Sequence, residues 1–163
     1  MTGRAYEGLN RFMHTQPAFA AVVRWTERLI TVIAFGSYPV FLVWCVLAHR
    51  AVLPRVVLVP LFGFGAVTAA RYILKRPRPY ELYAVTPLIK KDTVGRSFPS
   101  RHVFCIFMLA ETYLYAASDP AALPFYAMGL LLMACRVLLG VHFIMDVTCG
   151  AVIALFCGLL YYF

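Results

Sequence analysis

The chain has 163 residues, is 63% hydrophobic and only 13% charged, and carries a formal net charge of +8. A soluble domain is nearer half apolar and a quarter charged, so this balance excludes an ordinary soluble domain and is that of a single integral-membrane domain over residues 1–163. Eight of the fifteen Lys and Arg residues lie between Arg71 and Arg101; that density attracts an anion or lipid headgroups, and with no soluble binding module nucleic acid is not expected as a partner.

In chain order, Met1 to Asn10 is polar, and no short apolar run with a small-residue cleavage site follows, so no signal peptide is expected. Residues 5–27 mix Arg11, His14, Arg24 and Glu27 with Phe12, Phe19, Val22, Val23 and Trp25. This pattern predicts an amphipathic helix at the membrane interface, with a sixth, weakly apolar span as the competing reading. Leu29 to Ala48 is long enough to span a hydrocarbon core of ~30 Å. A second span runs from about Val52 to Leu74, where Gly63 and Gly65 would permit close helix contact. It stops at Lys75-Arg76-Pro77-Arg78-Pro79, because two closely spaced prolines end a helix. Residues 80–100 form the long polar connection, containing Lys90, Lys91 and Asp92. The third span covers His102 to Ala117 and the fourth Ala122 to Leu139. Gly140 marks a break, and the fifth span covers His142 to Phe163. The expected fold is an all-α polytopic membrane bundle of five to six transmembrane helices with an N-terminal interfacial helix. The five cysteines form no CxxC pair or Cys/His cluster and read as small hydrophobes rather than a zinc site or disulfide framework.

The chemistry-bearing residues stand where they are costly. Arg136, His142 and Asp146 interrupt an apolar stretch, and ionisable groups there are seldom kept without a task. Four residues separate His142 from Asp146, so on a helix the carboxylate would hold the imidazole in one tautomer and leave its other nitrogen free to attack. Arg136 supplies a permanently charged fork suited to phosphate. With five crossings, the end of span two, the start of span three and the junction of spans four and five face one side. Arg71 and Arg78, Ser100 and His102, and Arg136 and His142 would therefore meet at one membrane face. Glu111, in span three toward the other face, reads as a group solvated at the helix end or hydrogen-bonded to another helix rather than as a catalytic one.

These clusters resemble the type-2 phosphatidic acid phosphatase superfamily of membrane lipid phosphatases. The family's first motif, Lys-x6-Arg-Pro, is matched by Arg71 to Pro79, with Arg71 in the Lys position. Its second, Pro-Ser-Gly-His, reads Pro99-Ser100-Arg101-His102, with Arg for Gly. Its third, Ser-Arg-x5-His-x3-Asp, reads Cys135-Arg136, then His142 and Asp146, with Cys for Ser.

The resemblance implies a phosphoric or diphosphoric ester hydrolase in which His142 attacks phosphorus to give a phosphohistidine. Asp146 would orient His142, and His102 would protonate the leaving oxygen and then activate water. Arg71, Arg78, Arg136 and Ser100 would bind phosphate, with Lys75 and Arg101 as additional candidates. No cofactor or metal is expected, since the arginines would neutralise the phosphate and no carboxylate cluster offers a magnesium site. The implied substrates are a polyprenyl diphosphate such as undecaprenyl diphosphate, phosphatidylglycerol phosphate or phosphatidic acid. The implied location is a bacterial cell membrane with the site on the extracytoplasmic side, although the positive-inside rule alone would place the basic end in the cytoplasm. The alternatives are a non-catalytic lipid-binding or lipid-transport protein on the same fold, and a vanadate-dependent haloperoxidase-like enzyme.

Overall fold

The computed structural model describes residues 3–89, 94–117 and 119–163. Lys90, Lys91 and Asp92 of the basic connection, and Ser118, lie outside the described residues. The order is α1 (Gly3–Thr15), α2 (Pro17–Ala48), a 3-10 turn (Arg50–Val52), α3 (Leu53–Leu74), the short α4 (Pro79–Leu82), α5 (Arg101–Ala116), α6 (Asp119–Leu138) and α7 (Ile144–Leu159), closing in a second 3-10 turn (Leu160–Tyr162).

Pro17–Ala48, Arg50–Leu82, Pro120–Leu138 and Ile144–Tyr162 are each long and apolar enough to cross a membrane. Large apolar side chains on these stretches, among them Val40, Phe62, Leu130 and Phe156, face outward, which suits lipid rather than water. Helix α5 has 16 residues, about 24 Å at 1.5 Å per residue, and is enclosed by the others. Val103, Phe104, Ile106, Phe107, Met108, Leu109 and Ala110 are all buried, as expected of a helix apolar around its whole circumference. It packs on α2, α3, α6 and α7. The protein is thus an integral-membrane helix bundle.

Two boundaries differ from the sequence-based expectation. The polar stretch 5–27 divides at Gln16: α1 is the separate N-terminal helix, and α2 continues unbroken through residues 17–48. Pro17 explains the division, because its missing N–H and fixed φ suit the first turn of a helix. Helix α7 starts at Ile144, so His142 stands just before it rather than on it. Gly63 does permit close contact, a Cβ there lying 2.8 Å from the Phe104 ring, whereas Gly65 faces open space. Glu111 of α5 accepts a hydrogen bond from the Tyr126 hydroxyl of α6 at 2.5 Å, the interhelical one of the two roles expected.

Helix α1 lies against the segments that carry the polar cluster. Tyr6, Asn10 and Met13 form its buried face. Asn10 exchanges two hydrogen bonds with the Thr86 backbone, at 2.8 and 3.0 Å, and the Tyr6 hydroxyl accepts from Ile144 N–H at 2.9 Å.

Candidate active site

The C-terminal end of α3, the N-terminal end of α5 and the turn between α6 and α7 meet at one end of the bundle. Their meeting is fixed by backbone contacts: Ser100 N–H donates to the Asp146 carbonyl at 2.9 Å. Gly150, one turn further along α7, lets α5 approach, since a Cβ there would lie 2.7 Å from the Ser100 carbonyl oxygen. Gly140, with φ +73°, turns the chain out of α6 and into the segment carrying His142.

His142 and Asp146 are both buried. The imidazole Nδ1 lies 3.5 Å from Asp146 Oδ2 and 3.4 Å from Ser97 Oγ. Ser97 in turn donates to Asp146 Oδ2 in a short hydrogen bond. Asp146 also accepts from Phe143 N–H at 2.9 Å, as an acidic N3 residue does at a helix start, and pairs with Arg76 Nη1 at 3.0 Å. An acceptor facing Nδ1 favours the tautomer with its proton there, leaving Nε2 with a lone pair. Burial pushes the His142 pKa well below the ordinary imidazole range, because desolvation penalises the cation; Arg136 and Arg78 act in the same direction and Asp146 opposes them. His142 is therefore neutral, the form a nucleophile requires.

His102 stands at the start of α5. Arg136 Nη2 donates to its Nδ1 at 2.7 Å. Arginine has no acceptor, so Nδ1 accepts and the neutral ring carries its proton on Nε2. Arg136 Nη1 forms a short ion pair with Glu27 of α2, while its Nε is buried without a hydrogen-bond partner. Arg78 is buried and donates to the carbonyl of Val141, beside His142, at 3.4 Å. Ser100 Oγ is buried and likewise without a hydrogen-bond partner.

The remaining sequence-derived candidates separate. Arg71 is buried and turns inward to the loop before α5, donating to the carbonyls of Arg96, Ser97 at 3.1 Å and Pro99 at 2.6 Å. In this arrangement it holds the loop carrying Ser97 and Ser100. Lys75 is exposed at the end of α3, in a left-handed conformation (φ 44°), and Arg76 rather than Lys75 reaches the cluster. Arg101 lies over the Phe64 ring, 5.7 Å from its centre, at the rim of an apolar cavity of about 490 Å³ between α2, α3 and α5 whose lining includes His102, Phe64, Phe35 and Met108. Among the described residues no group of three or more His, Cys, Asp or Glu side chains could hold a metal ion.

Ser97 and Glu27 complete the cluster and were not among the sequence-derived site residues, and Arg76, from the basic run that ends span two, joins it through Asp146. Ser97 carries no local signal, because its partner is 49 residues away. Glu27 had one: with only seven carboxylates in the chain, an acid beside an apolar run needs a buried partner.

Comparison with known proteins gives the same frame. The family model described as PAP2 superfamily matches residues 51–163. Among solved structures, the chain resembles LpxE of Aquifex aeolicus with a TM-score of 0.74 at 21% identity, over 95% of this chain and 93% of that one. It also resembles the transmembrane PAP2-type phosphatidylglycerolphosphate phosphatase of Bacillus subtilis with a TM-score of 0.76 at 18% identity, over 98% of this chain and 83% of that one. At those identities the likeness shows the fold. No curated protein matches. The family model spans more than half of the chain, including the ends of α3, α5, α6 and α7 from which the polar cluster is built, and the chain accordingly belongs to the PAP2 superfamily as a membrane-embedded phosphatase.

Proposed function

We propose that the protein hydrolyses a lipid phosphate or diphosphate through a phosphohistidine on His142. The observation that supports this most is the meeting, at one end of the bundle, of a buried neutral imidazole backed by a carboxylate, a second imidazole and two buried guanidiniums. Nothing apolar requires such a cluster, and assembling it away from water is costly unless the charges serve a ligand.

The phosphoryl oxygens are held by Arg78, Arg136 and Ser100; the partnerless Arg136 Nε and Ser100 Oγ are donors in want of an acceptor. Arg136 swings its Nη2 from His102 to a phosphoryl oxygen, which frees the imidazole Nδ1 to take up a proton from solvent, returned to solvent when Nη2 swings back after phosphate release. His142 Nε2 then attacks phosphorus. The bond from phosphorus to the lipid oxygen breaks, and that oxygen leaves with the proton of His102 Nε2. In the second half, His102 takes a proton from water, the water oxygen attacks the phosphohistidine, and inorganic phosphate is released. The leaving group is a lipid alcohol for a monoester and a lipid monophosphate for a diphosphate.

A polyprenyl diphosphate or a glycerolipid phosphate such as phosphatidylglycerol phosphate or phosphatidic acid is the substrate class. The apolar cavity beside His102 provides hydrocarbon surroundings at the mouth of the site. The membrane is a bacterial cell membrane and the site faces its outer side. Arg71, Arg78 and Arg136 are buried in the cluster rather than spread along a loop, so they do not act as cytoplasmic topology signals.

Phosphate release from a panel of these lipids in detergent with EDTA tests the reading. Release without added metal, abolished at least 1,000-fold in His142→Ala and about 100-fold in Arg136→Ala, is expected. Strict dependence on magnesium, or lipid binding without release, would contradict it.

A further inference from the structure

We infer that Glu27 is a positioning residue for the phosphatase reaction: it pins Arg136 by one corner so that the other edge of the guanidinium faces the phosphoryl site and His102. The inference rests on the reading of Arg136 as a phosphate clamp. It extends the machinery to a helix outside the three motifs, and to a position outside the residues matched by the family model, 51–163.

Arg136 is among the largest fully buried side chains of the protein. A long guanidinium in a cavity has several ways to point, and a clamp works only if its donors are aimed before the substrate arrives. A guanidinium offers two forked edges. Glu27 engages Nη1, which removes that corner from service. The edge formed by Nε and Nη2 is what remains, and its two nitrogens are the ones the site uses: Nη2 on His102 at 2.7 Å and Nε without a partner. Held at Nη1, the group can pass Nη2 from His102 to a phosphoryl oxygen by a small rotation, without losing its counter-charge.

The carboxylate does not cancel the attraction for phosphate. Arg71, Arg76, Arg78 and Arg136 outnumber Glu27 and Asp146, so the site stays cationic. Its location is also telling. Glu27 is buried on α2, 109 residues before Arg136, so it couples α2 to the turn that carries His142 through a single side chain.

A purely structural tie between α2 and α6 would make a different forecast, and three variants separate the two. Glu27→Gln keeps an acceptor for Nη1 but removes the charge; Glu27→Ala removes both. Tyr126→Phe, which takes away a remote α6 to α5 hydrogen bond, is the control for lost stability alone. The readouts, taken below the melting temperature of each variant in detergent, are kcat/KM on a lipid phosphate and inhibition by orthovanadate, a phosphate-shaped anion.

Glu27→Ala is expected to lower kcat/KM about 30-fold and weaken vanadate inhibition about 10-fold, with Glu27→Gln between it and the wild type and Tyr126→Phe within about twofold of the wild type. In the background of Arg136→Ala, adding Glu27→Ala should cost less than a further twofold, because the carboxylate acts only through the guanidinium. If Glu27→Ala does not fold, the Gln variant and its double with Arg136→Ala carry the same comparison. Wild-type values in both Glu27 variants, or full additivity with Arg136→Ala, would overturn the inference while leaving the phosphatase reading intact. Full activity of Arg136→Ala alone would overturn the clamp itself.

Discussion

At the scale of single residues, the proposed site depends on an imidazole kept neutral by burial. Because its pKa is lower in the folded protein than in the unfolded chain, the stabilising contribution of His142 is complete above the ordinary histidine value of about 6.5 and is lost as pH falls below it, where the unfolded chain takes up a proton that the folded one does not. The melting temperature of the wild type should therefore fall between pH 7.5 and 5, and His142→Gln, which has nothing to titrate there, should show a shallower fall. Equal slopes in a pH series of thermal melts would count against the buried neutral form. Much of this centre was legible in the sequence. The spacing of Arg136, His142 and Asp146 named the trio, although the route to their contact differs: the His142 ring reaches Asp146 from the turn before α7, not from one helix face. Arg71 was legible as a cation at the end of the second span, expected to hold phosphate, but its engagement of the 96–99 backbone was not, since carbonyl partners leave no trace in a motif.

At the scale of elements, the site is a junction of helix ends, and its precision depends on how near α5 can come to α7. Gly150 sets that distance. In Gly150→Ala the added methyl would meet the Ser100 carbonyl at 2.7 Å, so the α5 start, with Ser100 and His102, must shift. A destabilisation of about 1–3 kcal/mol, as for other overpacked contacts, should be accompanied by at least a tenfold loss of phosphate release when both are measured on the purified variant. Unchanged activity would mean that this close approach does not position the site. Hydropathy located all five long helices of the bundle, because apolar runs between Pro and Gly breaks are read directly. It did not divide residues 5–27, where the deciding feature was Pro17 opening a helix rather than any change in polarity.

At the scale of the molecule, four long helices present an apolar exterior around the enclosed α5, and the buried arginines gather at one end with His142 and Asp146. Helix α1 covers that end from the side through Asn10 and Tyr6. The proposed outward orientation has a direct check. Val94 is exposed in the segment leading to Ser97, so Val94→Cys should react with a membrane-impermeant maleimide in intact cells, above the labelling of the parent chain; reaction only after permeabilisation would place the site in the cytoplasm. The convergence of distant clusters was legible from the number of crossings alone. What the crossings could not reveal was the contribution of α2, because the ion pair between Glu27 and Arg136 joins side chains with no shared motif.

The account as a whole stands on a covalent bond between phosphorus and one nitrogen. Rapid acid-free quenching of the protein with a lipid substrate labelled with ³²P at its terminal phosphate, followed by separation of the denatured chain, measures it directly. The account predicts label on the wild-type chain that survives alkali and is released by acid, as a phosphoramidate is, and none on His142→Ala. A His142→Ala chain that releases phosphate as fast as the wild type would contradict it.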